Sequence, residues 1–274
     1  MIIKKVIIAE AQGFCSGVRR ALSIVSQYRE ASILGSLIHN NQVIHMLEQQ
    51  GKKIVDSVTG NEKHPIVITA HGTKNGEIER LRSLGLTVVD TTCPLVTFIY
   101  HRGEQLEREG YRILIIGERD HIEVQGIASR LSKPIIINSE EEAINTELPE
   151  RVGIICQSTC LLSKFESIVQ RIVERVPDIK VYNTICHPTL RRQKAATELA
   201  QKVDIMIVMG GYHSSNTKRL AELTAQYVET YHIETSDDIR DEWFTGKNIV
   251  GITAGASTPD WIIDEVKGSI AEIR

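Results

Sequence analysis

Three cysteines of the chain stand in a shared local pattern that suits metal binding. Cys15, Cys93 and Cys186 each follow a short β-branched segment, and each precedes an amphipathic helical pattern. A helix N-terminus favours the thiolate form of a nearby cysteine, which is the form that binds metals. Three thiolates at one point repel one another unless a cation or a cluster neutralises them. The pattern therefore predicts a metal centre, provided that the fold brings the three thiols together.

The spacing of these ligands narrows the kind of metal centre. Structural zinc sites use four nitrogen or sulfur ligands, typically with local Cys-x-x-Cys pairs, and no such pair occurs here. A cubane iron–sulfur cluster can be held by three thiolates, which leaves one iron open as a Lewis acid toward a substrate oxygen. Cytosolic cysteines are also commonly buried packing residues. Spacing alone leaves the cluster and the packing interpretations open.

The elements that must position the cysteines recur three times along the chain, which indicates an internal repeat. In each copy a second apolar strand ends on a glycine, and a polar residue stands four positions later: His39, His121 and Ser214. Two positions further on, the copies carry Asn41, Glu123 and Asn216. A last strand then runs into a small polar corner, "TAHG", "CQST" or "AGAST", and a helical pattern follows it.

This alternation predicts an α/β fold of three similar modules with mainly parallel sheets, over residues 1–83, 84–178 and 179–274. In such sheets, ligands bind at the carboxyl ends of the strands, where the cysteines, the mid-copy polar residues and the corners all stand. If the modules surround a pseudo-threefold axis, the three cysteines converge on it. The repeat thus supplies the convergence that a three-thiolate centre requires.

Composition argues against several classes of protein. The 274 residues are 42% hydrophobic and 24% charged with a net charge of −3, so no basic surface favours nucleic acid. Lys4, Lys5 and Glu10 interrupt the apolar start, which is too short for a signal sequence or membrane span, and we expect a cytoplasmic protein. Five cysteines in a reducing compartment are better read as core thiols, nucleophiles or ligands than as disulfides. No dinucleotide-binding or P-loop motif indicates a bound nicotinamide, flavin or ATP.

Eight ordered motifs resemble the 4-hydroxy-3-methylbut-2-enyl diphosphate reductase family, which acts last in the methylerythritol phosphate route to isoprenoids. They are "GFCSGV", "IHNNQV", "TAHG", "DTTCPLV", "HIEVQG", "IC" at 185 and 186, "SSNTKRLAEL" and "TAGASTPD", and they span nearly the whole chain. The resemblance implies a three-lobed α/β fold around a central [4Fe–4S] cluster held by Cys15, Cys93 and Cys186. It implies an enzyme that removes the allylic hydroxyl of its diphosphate substrate as water, giving isopentenyl and dimethylallyl diphosphates. Two electrons would come from an external donor such as ferredoxin or flavodoxin.

The resemblance also implies roles for single side chains. Glu123 matches the proton donor of the family, and His121 matches a substrate contact that could orient it. Ser158 takes the place of a threonine near the glutamate, so the hydroxyl is kept and the methyl group is lost. A diphosphate favours N–H and hydroxyl donors at helix starts. The implied substrate-binding set comprises His39, His71, His121, Ser158, Thr159, Ser214, Ser215, Asn216 and Ser257.

Ordinary structural roles stay open for these residues. Ser214 to Asn216 are good helix N-caps, and Glu123 is a common kind of first-turn residue. Cys156 and Cys160 have no ligand role in the family and are predicted to be packing thiols. Two other functions are alternatives: a zinc or thiol hydrolase that uses a cysteine with a histidine, and a non-catalytic iron–sulfur sensor. The sensor needs no acid beside the open iron, whereas the hydrolase would lack iron and sulfide.

Overall fold

The strands of the protein are short and rich in β-branched residues, and helices alternate with them along the chain. In the computed structural model, which describes residues 3–273, the strands are β1 (Lys5–Ile8), β2 (Ala31–Leu34), β3 (Lys52–Val55), β4 (Ile66–Ile68), β5 (Val88–Asp90), β6 (Arg112–Ile116), β7 (Ile135–Ile137), β8 (Arg151–Cys156), β9 (Asp178–Val181), β10 (Ile205–Met209), β11 (Thr230–Ile233) and β12 (Ile249–Ala254). The α-helices are α1 (Ser16–Val25), α2 (Asn41–Gln49), α3 (Glu77–Ser83), α4 (Pro94–Arg108), α5 (Ile122–Ala128), α6 (Glu140–Asn145), α7 (Leu162–Val173), α8 (His187–Ala200), α9 (Ser215–Thr224) and α10 (Asp260–Glu272). Short 3-10 helices lie at Ser236–Asp238 and Asp241–Phe244.

The strands form three four-stranded sheets with the same topology, in the orders β3-β2-β4-β5, β7-β6-β8-β9 and β11-β10-β12-β1. Every strand pairing among the described residues is parallel. In each sheet the two inner strands are mostly apolar and mostly buried, as expected when helices cover both faces. The predicted fold class, three similar α/β modules with parallel sheets, is confirmed.

The sheets are offset from the repeat that the sequence shows. The strand before each of the three cysteines pairs with a strand of another copy: β5 with β4 of the first copy, β9 with β8 of the second, and β1 with β12 of the third. Each sequence repeat begins with the strand before its cysteine, and that strand belongs to the sheet formed mainly by a different repeat. The module ranges 1–83, 84–178 and 179–274 stay a prediction, and the pairings show how the copies exchange their edge strands.

The chain divides into two compact units. Unit 1 combines the described part of Met1–Arg19 with Ile38–His45 and the described part of His187–Arg274. Unit 2 combines Arg20–Leu37 with Met46–Cys186. Unit 1 contains the sheet with β1, and unit 2 contains the other two sheets. Within the described residues, no helix combines the length and the apolar character that crossing a membrane requires.

Each unit has its own apolar core. In unit 1 the buried strands β10 and β12 pack against the inner face of α10, which contributes Ile262, Ile263, Val266 and Ile270. In unit 2 the buried faces of β6 and β8 pack against α4, and the half-buried Cys93 lies at the edge of this cluster. Because the core fixes the strands, the carboxyl ends of the strands provide stable platforms for the loops that carry the polar residues.

Candidate active site

The three cysteines of the predicted metal centre have the same backbone contact. A short strand precedes each cysteine and pairs with a neighbouring strand, β12, β4 or β8. Each cysteine N–H donates to the carbonyl oxygen of the residue two positions beyond the end of that neighbouring strand. The contacts are Cys15 to Ala256 (3.2 Å), Cys93 to Ala70 (3.0 Å) and Cys186 to Ser158 (2.9 Å). A helix begins directly after each cysteine, as predicted. The backbone thus holds all three cysteines at strand ends, Cys15 in unit 1 and the other two in unit 2.

The five cysteines fall into two groups by burial. Cys15, Cys93 and Cys186 are half-buried, whereas Cys156 and Cys160 are buried. Burial, together with the nearby Cys160, raises the pKa of the Cys156 thiol to about 12. A buried thiol with so high a pKa is neutral near pH 7 and has little thiolate reactivity. These features support the interpretation of Cys156 as a packing residue.

In unit 2, Glu123 and Ser158 form a buried polar contact. Glu123 lies in the first turn of α5 and is 1% exposed. The Ser158 N–H donates to Glu123 Oε1 at 2.6 Å, and the Ser158 hydroxyl donates to Oε2 at 2.8 Å. Ser158 lies in the corner after β8, which pairs with the β6 strand that leads into α5. The two neighbouring strands therefore bring the carboxyl and the hydroxyl together, as the resemblance implied.

Two histidines of unit 2 lie close to this contact. His121 is the N-cap of α5, and its Nδ1 accepts a hydrogen bond from the Glu123 N–H at 3.1 Å. Because Nδ1 is the acceptor, the proton of the neutral ring is assigned to Nε2. His71, in the corner after β4, packs edge-on against His121 with ring centroids 5.6 Å apart. Thr159 follows Ser158 and is half-buried.

Unit 1 contains the predicted anion-binding segment at the start of α9. Ser214, Ser215 and Asn216 are all buried. Ser214 is the N-cap, since its Oγ accepts a hydrogen bond from the Thr217 N–H at 3.4 Å. The Asn216 Nδ2 atom is buried and has no acceptor among the residues that the structure describes. A buried donor without an acceptor is unfavourable unless a ligand or water pairs with it. The ordinary cap role of Ser214 is thus confirmed, and Asn216 has a donor left for a ligand.

His39 and Ser257 also belong to unit 1 and are joined through the backbone. The Ser257 hydroxyl donates to the His39 carbonyl oxygen at 3.0 Å. Gly211, in the loop before α9, approaches the same carbonyl so closely that an added Cβ would lie 2.5 Å from the oxygen. Only glycine fits at this approach. The loops that carry His39, Ser257 and the α9 start are therefore fixed to one another within unit 1.

The three equivalent mid-copy positions have different partners. Asn41 donates through Nδ2 to Glu234 Oε2 at 3.1 Å. Glu123 accepts hydrogen bonds from Ser158, and the Asn216 amide has an unpaired donor among the described residues. The repeat therefore provides the same location three times, and the side chain at each location decides its chemistry.

Two further residues of unit 2 were not predicted from the sequence. Tyr100 is buried, and Arg130 lies over its ring at 3.7 Å. Arg130 donates to the carbonyl oxygens of Thr73 (2.9 Å) and Gly126 (2.6 Å), which joins the His71 corner to helix α5. Burial raises the pKa of Tyr100 to about 12. Contacts of this kind depend on which loops meet in space, and spacing along the chain does not reveal them.

With this geometry in place, comparison with known proteins identifies the family. The LytB protein family matches residues 6–271. The chain belongs to the LytB protein family. A relative from Geotalea uraniireducens (strain Rf4), named 4-hydroxy-3-methylbut-2-enyl diphosphate reductase, is 40% identical over 276 residues and covers 98% of each chain. A relative of the same name from Aquifex aeolicus (strain VF5) is 40% identical over 278 residues, which are 98% of this chain and 96% of the relative.

Two solved structures resemble this LytB protein over nearly all of its length. One, described as (E)-4-hydroxy-3-methyl-but-2-enyl diphosphate reductase, the terminal enzyme of the non-mevalonate pathway, is 40% identical with a TM-score of 0.72, covering 99% of this chain and 100% of that one. The other, E-1-hydroxy-2-methyl-but-2-enyl-4-diphosphate reductase from Plasmodium falciparum, is 25% identical with a TM-score of 0.91, covering 98% and 87%. The resemblance that the eight motifs indicated is confirmed.

Proposed function

We propose that this LytB protein is an oxidoreductase that converts (E)-4-hydroxy-3-methylbut-2-enyl diphosphate into isopentenyl diphosphate and dimethylallyl diphosphate. The allylic C–O bond breaks, two electrons and two protons are consumed, and the hydroxyl leaves as water. The buried Glu123 carboxyl, held on both oxygens by Ser158, is the observation that carries the proposal. Sequence identity of 40% over 98% of the chain to proteins of that name supports it.

The donor set of the chain fits a [4Fe–4S] cluster with three protein ligands. Cys15, Cys93 and Cys186 are half-buried at helix starts, and each has its backbone amide fixed at a strand end. Thiolate ligands of this kind suit iron–sulfur clusters, and helix starts favour the thiolate. When bound, such a cluster supplies electrons and a Lewis-acidic iron. Zinc in a structural site would require a fourth nitrogen or sulfur ligand.

Glu123 is the proposed proton donor to the leaving hydroxyl. Loss of hydroxide from carbon requires a proton on the departing oxygen, and a positioned carboxylic acid supplies it. The burial of Glu123 keeps bulk water from this proton. A hydroxyl group both donates and accepts, so Ser158 can bond to the carboxylate and also to the carboxylic acid. Ser158 therefore stabilises Glu123 on both sides of the proton transfer.

The diphosphate group is proposed to bind to neutral donors. In unit 1 the Asn216 amide, the start of α9 with Ser214 and Ser215, and the segments of His39 and Ser257 supply these donors. The positive end of the α9 dipole favours an anion at this helix start. In unit 2, His71, Thr159 and the Nε2–H of His121 are proposed substrate contacts.

The two electrons are proposed to come from an external protein such as ferredoxin or flavodoxin. The sequence contains no dinucleotide-binding or P-loop motif from which a bound nucleotide cofactor could be inferred. A reducing cytoplasm suits the proposal, because it keeps cysteines available as ligands.

Anaerobic purification and assay of the full chain test this function. We expect brown protein that contains iron and sulfide and that, with a chemical reductant, forms both five-carbon diphosphates from the allylic diphosphate. Iron and sulfide with no reduction would instead indicate the sensor. Colourless protein without iron that is active in hydrolysis would indicate the zinc or thiol hydrolase.

A further inference from the structure

The four residues that end at Cys93 and the four that end at Cys186 are related in sequence and in structure. They read Asp-Thr-Thr-Cys and Asn-Thr-Ile-Cys; Asp90 is the last residue of the edge strand β5, and Asn183 lies two residues beyond the edge strand β9. Asp90 Oδ1 accepts from the Thr92 N–H at 2.8 Å, and Asn183 Oδ1 accepts from the Ile185 N–H at 3.1 Å. This Asx turn redirects the chain directly after the strand in both places.

The second residue of each segment is a buried threonine that bonds to the neighbouring strand. Thr91 Oγ1 donates to the Ile68 carbonyl oxygen at 2.5 Å, and Thr184 Oγ1 donates to the Cys156 carbonyl oxygen at 2.6 Å. Ile68 and Cys156 are the last residues of β4 and β8. Thr184 Oγ1 also accepts from the Cys156 N–H at 2.8 Å. The hydroxyl continues the contact between adjacent strands beyond their last paired residues.

The cysteine two positions later continues the same contact. The Cys93 N–H donates to Ala70 and the Cys186 N–H donates to Ser158, each two residues beyond the carbonyl that the threonine holds. A hydroxyl and an amide therefore bind two carbonyl oxygens that are two residues apart at one strand end. We call this arrangement the Asx-Thr-x-Cys latch.

The copy around Cys15 lacks the latch. Its four residues read Gln-Gly-Phe-Cys, and Gly13 has no hydroxyl and a φ of 71°. Arg192 instead donates through Nη2 to the Gly13 carbonyl oxygen at 2.8 Å. Two of the three predicted ligand segments thus share the threonine contact, whereas the segment of Cys15 has the Arg192 contact instead. All three cysteines donate a hydrogen bond from their backbone N–H to a strand end.

We propose that Thr91 and Thr184 are positioning residues that hold Cys93 and Cys186 in their ligand geometry before a cluster binds. The inference rests on the proposed cluster. Thr184 has a second effect, because the carbonyl that Cys186 binds belongs to Ser158, whose N–H and hydroxyl hold Glu123. Loss of the Thr91 hydroxyl therefore affects cluster retention alone, whereas loss of the Thr184 hydroxyl also affects turnover for each bound cluster.

The test compares four variants of the full anaerobically purified chain with one control. Thr91→Val and Thr184→Val remove the hydroxyl at nearly constant volume, and Thr91→Ser and Thr184→Ser keep it. Thr224→Val is the control, because Thr224 is also buried and its hydroxyl bonds only to helix carbonyl oxygens, those of Leu220 and Ala221. The readouts are the rate of iron loss to a chelator, the hydrogen exchange of the Cys93 and Cys186 amides, and kcat for each bound cluster.

We expect both valine variants to lose iron about tenfold faster than the native protein, since each removes a buried side-chain hydrogen bond between the cysteine segment and the neighbouring strand. Exchange should accelerate at Cys93 in one variant and at Cys186 in the other. Only Thr184→Val should lower kcat for each bound cluster. The serine variants and Thr224→Val should stay near native in all three readouts.

Native rates of iron loss and amide exchange in both valine variants would overturn the proposal. If Thr224→Val accelerates iron loss and amide exchange equally, the cause is general destabilisation and the proposal is wrong. If the serine variants are as impaired as the valine variants, the hydroxyl group is not what holds the cysteines, and the proposal is also wrong. Amide exchange needs neither iron nor substrate. If the native chain fails to reduce the allylic diphosphate, the proposed function is wrong, while exchange at Cys93 and Cys186 still decides whether the hydroxyls hold these segments.

Discussion

Ser158 binds both oxygens of the Glu123 carboxyl group, one through its backbone N–H at 2.6 Å and the other through its hydroxyl at 2.8 Å. Ser158 lies in the corner after β8, and Glu123 lies in the first turn of α5, which follows the neighbouring parallel strand β6. The backbone donor does not depend on the side chain, so a substitution at Ser158 removes one of the two contacts and keeps the other. The Ser158 hydroxyl and the Glu123 carboxyl group can therefore be tested separately by substitution.

Ser158→Ala should lower kcat but leave the cluster content native, because the backbone N–H still holds Glu123. Ser158→Thr restores the hydroxyl with the methyl group that the family pattern carries, and its kcat should stay near native. The measurement is turnover with a chemical reductant at matched iron content. Equal loss of activity in both variants would mean that the shape of the corner, and not the hydroxyl, matters.

Cys15→Ser, Cys93→Ser and Cys186→Ser should each lose most of the iron and the activity, because a hard hydroxyl replaces a soft thiolate on iron. Cys156→Ser and Cys160→Ser should keep iron, since both residues are buried packing thiols. Iron and sulfide assays on the anaerobically purified variants provide the comparison. Similar iron loss in all five variants would contradict the ligand assignment.

Asn216→Ala should weaken diphosphate binding at full iron content, because it removes the buried Nδ2 donor. His39→Ala and His71→Ala should act in the same direction. Loss of a hydrogen bond to a charged group costs about 1.5–3 kcal/mol, so affinity should fall roughly ten- to a hundredfold. Titration with inorganic diphosphate measures it, with Asn138→Ala as a control on unit 2, where Asn138 bonds to Lys164. Native affinity in all three variants would leave these residues with cap and packing roles.

The raised pKa of Cys156 predicts a stability change in alkaline solution. The thiol has an ordinary pKa of 9.0 and a folded pKa of about 12, so between these values it ionises only in the unfolded chain. The free energy of unfolding should therefore fall with rising pH by about 1 kcal/mol for each pH unit from this residue. Urea unfolding at two alkaline pH values should show a smaller fall for Cys156→Ala than for the native protein. Parallel falls would show that Cys156 titrates normally in the folded chain.

The fold was predictable from the sequence because each module repeats the same order of strand, cysteine, helix and glycine-ended strand. The positions of His121, Glu123 and Ser214 relative to their helices followed from that repeat, and all three lie at helix starts. The offset of the sheets was not predictable, because strand pairing depends on long-range contacts that a local pattern does not contain. β5 and β9 read as strands in the sequence, but nothing in their residues shows which sheet they complete.

The site was predictable only in part. The motif "HIEVQG" contains Glu123 and the repeat corner "CQST" contains Ser158, but composition and spacing favoured neither residue as catalytic without the family resemblance. The Thr184 hydroxyl and the Arg130 contacts were not predicted, because each acts on the backbone of a distant segment. Side chains that bind backbone carbonyl groups leave no pattern in the partner sequence, since every residue carries the same carbonyl.

Glu123→Gln tests the central claim most directly. The substitution keeps the size and hydrogen bonding of the side chain and removes the acidic proton. Cluster content and substrate binding should survive, the latter visible as a change in the absorption spectrum when the allylic diphosphate is added. Turnover under saturating chemical reductant should fall about 10²–10⁴-fold, the usual contribution of general acid catalysis. Reduction at nearly the native rate would contradict the account, because Glu123 would then be a helix-start residue and the proton would come from another group.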